Sequence, residues 1–133
     1  RHMEELLKIT KVVPAVDQIE LHPFLTQKPL VEYCRSLGVE VEGWRPLGGN
    51  DGQLRDDPAI ARIAKKHGHT AAQVLIRWSL QSGIIALPKS ARRERIVDNA
   101  KVFDFELSSE DMKAIDALNR DFRTGPDPDT FDF

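Results

Sequence analysis

The chain has 133 residues, with 19 Lys and Arg against 21 Asp and Glu and a net charge of -2. That length supports one modest core, and the charge balance argues against a dedicated nucleic-acid binder, whose footprint is a basic face. No apolar run reaches the roughly 20 residues of a membrane helix, no signal-peptide pattern opens the chain, and a single cysteine excludes a disulfide framework or a thiolate metal cage; a reducing cytoplasm is the expected compartment.

In chain order, the spacing predicts a short amphipathic helix over residues 3–11, with Leu6, Leu7 and Ile9 turned inward. Residues 14–23 favour a strand through Val16, Ile19 and Leu21, ended by Pro23. Asp17, Gln18, Glu20 and His22 make that strand unusually polar for a buried parallel one. Glu20 and His22 are expected to make structural hydrogen bonds. Gln18, whose amide both donates and accepts, is the better ligand contact. Residues 27–37 form the next helix, with Leu30, Val31, Cys34 and Leu37 at helical spacing and Gly38 as a left-handed cap. Cys34 belongs to the core, because nothing ties it to a base.

Residues 39–44 alternate as a strand and run into a glycine-rich loop, residues 45–52. Gly48 and Gly49 there permit a close backbone approach to a ligand. Trp44, at the junction, is either core or a stacking platform. A helix follows with Pro58 at its first position and ends near His67, Gly68 and His69. The two histidines read as a helix terminus and loop, since no third or fourth metal ligand is near in the sequence. Thr70 caps a helix over 71–81, where Trp78 packs or meets another helix, and Gly83 closes it.

The most informative stretch comes next. Ile84, Ile85, Ala86 and Leu87 form a buried strand that stops at Pro88, and a helical pattern begins at once, over 93–100. Ser90 is placed to cap that helix, and Lys89, Arg92, Arg93 and Arg95 crowd its N-terminus. Cations are disfavoured there by the helix dipole. An amide-rich, cation-rich helix start suits an anion such as a phosphate; the competing reading is a solvated basic turn. Residues 102–105 are extended and apolar, Ser108 with Asp111 approximates a capping box before the last helix, and Met112, Ile115 and Leu118 form its inner side. The tail, 119–133, is irregular. Its aromatics, Phe122, Phe131 and Phe133, need an apolar surface, such as a pocket mouth. Strands alternating with helices mean an α/β fold with a parallel sheet. Three strands alone leave two open edges, so the chain reads as part of a larger α/β structure.

Residues 14–23 (PAVDQIELHP), 43–48 (GWRPLG), 72–78 (AQVLIRW), 87–90 (LPKS) and 95–99 (RIVDN), in this order, resemble the aldo-keto reductase superfamily over essentially the whole chain. The subgroup most similar is that of microbial reductases near the diketogluconate reductases and prostaglandin F synthases, and the tail at 125–129 is similar to theirs. The resemblance implies the C-terminal part of an (α/β)8 TIM barrel, with strands six to eight in residues 1–133. Such a barrel places its site at the C-terminal ends of its strands.

The implied function is reduction of aldehydes or ketones to alcohols by hydride transfer from NADPH. By the same resemblance, Gln18 holds the nicotinamide carboxamide and Trp44, where the family usually has Tyr, stacks on the nicotinamide. Arg45, in place of a commoner small residue, lies with Leu47, Gly48 and Gly49 along the pyrophosphate. Lys89, Ser90 and Arg95 hold the phosphate on the adenosine ribose, and Asp98, in place of Glu, reaches the adenine with Asn99. The family's catalytic Asp, Tyr, Lys and His precede the matched part, and Tyr33, the one tyrosine here, does not fit that motif. The chain is therefore expected to carry cofactor-binding residues, no catalytic residue and no metal ligands, and to be inactive alone. Its expected partners are a small carbonyl substrate and, if it is separate, the N-terminal half of the barrel, with neither nucleic acid nor membrane. The alternatives are a non-catalytic NADP-binding module and an association-prone fragment.

Overall fold

A computed structural model of the protein describes residues 1–49 and 52–131. Asn50 and Asp51 of the expected glycine-rich loop, and Phe133 of the tail, lie outside the described residues. The order is α1 (His2–Ile9), β1 (Val16–Glu20), α2 (Lys28–Ser36), β2 (Glu40–Trp44), α3 (Pro58–His67), α4 (Ala71–Gln81), β3 (Ile85–Leu87), α5 (Arg93–Ala100) and α6 (Ser109–Asp116). The strands form one parallel sheet in the order β1-β2-β3.

The helix boundaries follow from local chemistry. Thr70 and Gln73 form a reciprocal capping box at α4, as do Ser108 and Asp111 at α6. Asp57 accepts from the Ala59 amide at 2.8 Å to start α3, with Pro58 in the first turn. Gly38, Gly68 and Gly83, all at positive φ, end α2, α3 and α4.

One face of the sheet is covered. Val41 of β2 packs with Val31 and Cys34 of α2, Ile60 and Ile63 of α3, Val74, Leu75 and Trp78 of α4 and Ile115 of α6. Trp78 donates its indole N–H to Asp116 at 2.9 Å, so this buried ring also ties α4 to α6. Side chains alternate across a strand, and on the other face Val16, Ile85 and Leu87 are exposed around Gln18 and Glu42. Among the described residues nothing pairs with the outer edges of β1 and β3.

Three expectations are corrected. Of the strand expected to be buried, 84–87, only Ile84 is buried; Ile85 and Leu87 are exposed, because their face of the sheet carries no covering layer among the described residues. α1 stops at Ile9, which is 85% exposed, and Leu6 is exposed too; Leu7 is half-buried as expected, and Met3 is the α1 residue that packs on the core. Ser90 does not cap α5. Four non-helical residues, 89–92, follow Pro88, and Arg92, with an extended backbone, takes the cap position. The Ser90 hydroxyl accepts from the Arg92 amide at 3.1 Å and closes a turn before the helix. The first turn of α5 has no side-chain cap among the described residues.

Candidate functional site

The sheet register sets the site. Glu20 pairs with Trp44, and Trp44 with Leu87, so all three strands end in one row. The loop after β2 and the turn after β3 leave the sheet side by side at its C-terminal end, where parallel α/β sheets place ligands.

At the β1 side a cavity of about 780 Å³ is lined by Gln18, Glu20, Tyr33, Trp44, Arg123 and Phe131 among others, a size suited to an organic ligand. The ring of Trp44 is half-buried and borders this cavity. Gln18 also reaches it, and its amide donates to Glu42 at 2.7 Å. The tail residue Phe131 on its wall agrees with an aromatic tail settling at a pocket.

Glu20 is fully buried, and its carboxylate is the most heavily bonded group of the site. Oε1 accepts from the Thr124 amide at 2.7 Å, from the Thr124 hydroxyl, and from His22 Nε2 at 3.1 Å; Oε2 accepts from the Gly125 amide at 3.1 Å. Burial pushes this carboxyl up. The donors of Thr124, His22 and Gly125 outweigh that, and its pKa lies below the ordinary value. The structural role expected of Glu20 and His22 is what the geometry shows. The tail partners, more than 100 residues away, are what sequence reasoning missed; a carboxylate in a buried strand was the available sign that donors had to come from somewhere.

Arg45 has a left-handed backbone, φ 55°. Its guanidinium donates to the Thr124 carbonyl and, at 3.0 Å, to the Thr124 hydroxyl oxygen, and lies 5.1 Å over the Trp44 ring. Leu47 packs on the core. At Gly48, φ 76°, an added Cβ would lie 2.6 Å from Leu54, so the space a side chain would need is filled from within the protein; at Gly49 the nearest atom to an added Cβ, the Thr124 hydroxyl, would be a looser 3.3 Å away.

The start of α5 is arranged differently. Residues 91–97 are all exposed. Lys89, Arg92, Arg93 and Arg95 make no ion pair among the described residues, whereas Lys28, Lys66 and Lys101 are each matched to an aspartate. Ser90 lies inside this cluster, Asp98 bonds Lys101 at 3.1 Å, and Asn99 is half-buried. The structure thus brings Gln18 and Trp44 together at the cavity and leaves Lys89, Ser90, Arg95, Asp98 and Asn99 as a separate group at the rim. The two histidines near α3 serve packing: His67 bonds Asp111 at 2.8 Å, and His69 stacks on Phe105 with ring centroids 3.9 Å apart.

These elements form a one-sided parallel α/β layer, with a cavity along β1 and an uncapped basic helix start at the C-terminal end of the sheet. The aldo/keto reductase family model matches residues 1–120, and the chain belongs to that family. It is 52% identical over 128 residues to the glyoxal reductase of Bacillus subtilis, covering 96% of this chain and 46% of that protein. It is 47% identical to the morphine 6-dehydrogenase of Pseudomonas putida, covering 95% and 46%. A crystal structure of a Gox0644 mutant in complex with NADPH superposes with a TM-score of 0.94 at 46% identity, covering 99% of this chain and 48% of that one. The chain spans about half the length of the curated relatives it matches.

Proposed function

We propose that the chain is the C-terminal, NADPH-binding part of an (α/β)8-barrel reductase of aldehydes or ketones. The observation that carries this reading is the start of α5: an uncapped first turn with four cations, none of them in an ion pair among the described residues, against the single carboxylate Glu94 of that turn. A phosphate there accepts from the free amides and meets the cations directly. In this reading Lys89, Ser90 and Arg95 hold the phosphate on the adenosine ribose, and Asp98 and Asn99 contact the adenine. Residues Arg45, Leu47, Gly48 and Gly49 form the turn beside which the pyrophosphate runs. Trp44 stacks on the nicotinamide at the cavity. Glu42 takes the amide donor of Gln18, so Gln18 offers its oxygen to the carboxamide. When bound, NADPH supplies the hydride that reduces the carbonyl carbon. None of the described side chains is assigned as the proton donor, and the chain alone is inactive; the carbonyl substrate is met together with the N-terminal half of the barrel.

Titration of the chain with NADPH and NADH, followed by tryptophan fluorescence, tests this. NADPH should quench and bind more tightly than NADH, and Lys89→Ala or Arg95→Ala should remove that preference. Equal affinity for both nucleotides in the parent chain sinks the reading. Turnover of an aldehyde with NADPH by the purified chain overturns the inactivity. The exposed Val16, Ile85 and Leu87 and the open edges of β1 and β3 favour a second reading, an association-prone fragment. Concentration-dependent self-association with no nucleotide response selects it.

A further inference from the structure

Past α6 the chain does not simply trail away. The Arg120 and Phe122 amides donate to the Phe24 carbonyl at 3.2 and 3.0 Å, which lays the segment across the loop after β1. The next residues reach the end of that strand. The Thr124 hydroxyl works in both directions, donating to Glu20 and accepting from Arg45. Arg45 lies in turn over the Trp44 ring, and Glu20 is Trp44's register partner on the neighbouring strand. Gly125 closes the circuit: a Cβ there would run into the Trp44 ring, so only glycine lets the segment sit against the indole edge. The same four residues, Glu20, Arg45, Thr124 and Gly125, therefore fasten the tail and surround the ring. Arg45 keeps a backbone conformation that non-glycine residues rarely adopt, and the Thr124 contacts hold its side chain in that place.

We propose that this clasp sets the plane of the Trp44 indole, and that Thr124 and Gly125 of the C-terminal segment are positioning residues for the nicotinamide ring. The inference rests on the stacking role given to Trp44 above. Neither Thr124 nor Gly125 touches the reacting atoms. Their effect passes through the indole: one edge is spaced by Gly125, and Arg45 lies over the ring in a position fixed by Thr124. A ring fixed before the cofactor arrives binds it without having to be ordered at that moment.

The test uses the chain labelled with 5-fluorotryptophan. Fluorine NMR then gives one signal for Trp44 and one for Trp78, assigned by the loss of the first in Trp44→Phe. In the absence of nucleotide, Thr124→Val and Gly125→Ala should shift or broaden the Trp44 signal and leave that of buried Trp78 in place. Thr124→Ser, which keeps the two-way hydroxyl, should restore it. The Val variant should weaken NADPH and NADH alike by roughly tenfold, since both carry the same nicotinamide. A Trp44 signal unmoved in Thr124→Val, with NADPH still perturbing Trp44 in the parent, overturns the positioning role and leaves the stacking reading standing. A Trp44 signal that NADPH never perturbs in the parent overturns the stacking reading and the positioning role with it. If Gly125→Ala also displaces the Trp78 signal, the Thr124→Val and Thr124→Ser pair decides.

Discussion

The end of β1 and the start of α5 lie at the same end of one sheet and use their charges in opposite ways. At the end of β1, Glu20 is buried and each carboxylate oxygen has a donor, from the chain's own tail or from His22. At the start of α5, four cations stand in solvent without an ion pair among the described residues. Folding consumes the first charge and leaves the others unpaired among the described residues. A charge spent internally shows its worth as stability, and one left over shows it as binding.

The contrast breaks most visibly at Glu20. Glu20→Ala strands the Thr124 and Gly125 amides and the Thr124 hydroxyl, and should cost about 3 kcal/mol of unfolding free energy, measured by urea denaturation. Arg95→Ala is the opposite case. It should change stability by no more than about 0.5 kcal/mol and weaken NADPH by about 2 kcal/mol, near thirtyfold, with little effect on NADH; a fall in the melting temperature instead would place Arg95 on the folding side.

Asp111 sharpens the comparison, because it too is spent internally, capping α6 and bonding Lys66 and His67. Asp111→Ala should cost about 1 kcal/mol or somewhat more and leave nucleotide affinity alone. Acid gives the same test without mutation. Burial raises both carboxyls, but their hydrogen-bond donors win and both pKa values lie below the ordinary ones. A carboxyl depressed by folding contributes stability that is present above its unfolded pKa and lost as pH falls through its folded pKa. The urea midpoint should therefore hold from neutrality down to the ordinary carboxylate range and decline below it, less steeply in Glu20→Gln. The smallest effect concerns Cys34. Burial, with the nearby Asp17 carboxylate, raises its thiol to about 11, and a thiol reagent at neutral pH should leave it unmodified until the chain unfolds.

What was legible in the sequence was local. Thr70 before α4, Ser108 before α6, Pro58 in the first turn of α3 and the glycines after α2 and α4 act within a few residues of themselves, and the helices end where those residues put them. The strands showed as β-favouring residues in 14–23, alternation in 39–44 and an apolar run in 84–87. Ser90 misled because a serine before a basic helix reads as a cap whether it closes the helix or the turn ahead of it; the two differ only in where the backbone leaves the extended region after Pro88. Ile9 misled because periodicity tells which residues share a face and not how far the partner surface extends. The clasp was out of reach for a different reason. Glu20 and Thr124 are brought together only by the whole fold, and neither residue signals the other. The basic cluster at α5 was visible as composition; that its charges stay unpaired among the described residues is a property of packing.

Gln73 has a consequence for how α5 behaves as a body. Its side-chain oxygen accepts from the Thr70 amide at 2.9 Å, and its nitrogen donates to the Asp98 and Lys101 carbonyls at 3.0 and 3.1 Å. α5 buries no residue fully along its length; Gln73, with Arg77 on the Val102 carbonyl at 3.2 Å just beyond, moors its far end while the near end stands exposed. The helix is a cantilever. Its amides should exchange with solvent fastest at the free tip, and whatever grips that tip must also damp its swing, at an entropic cost taken from the grip itself.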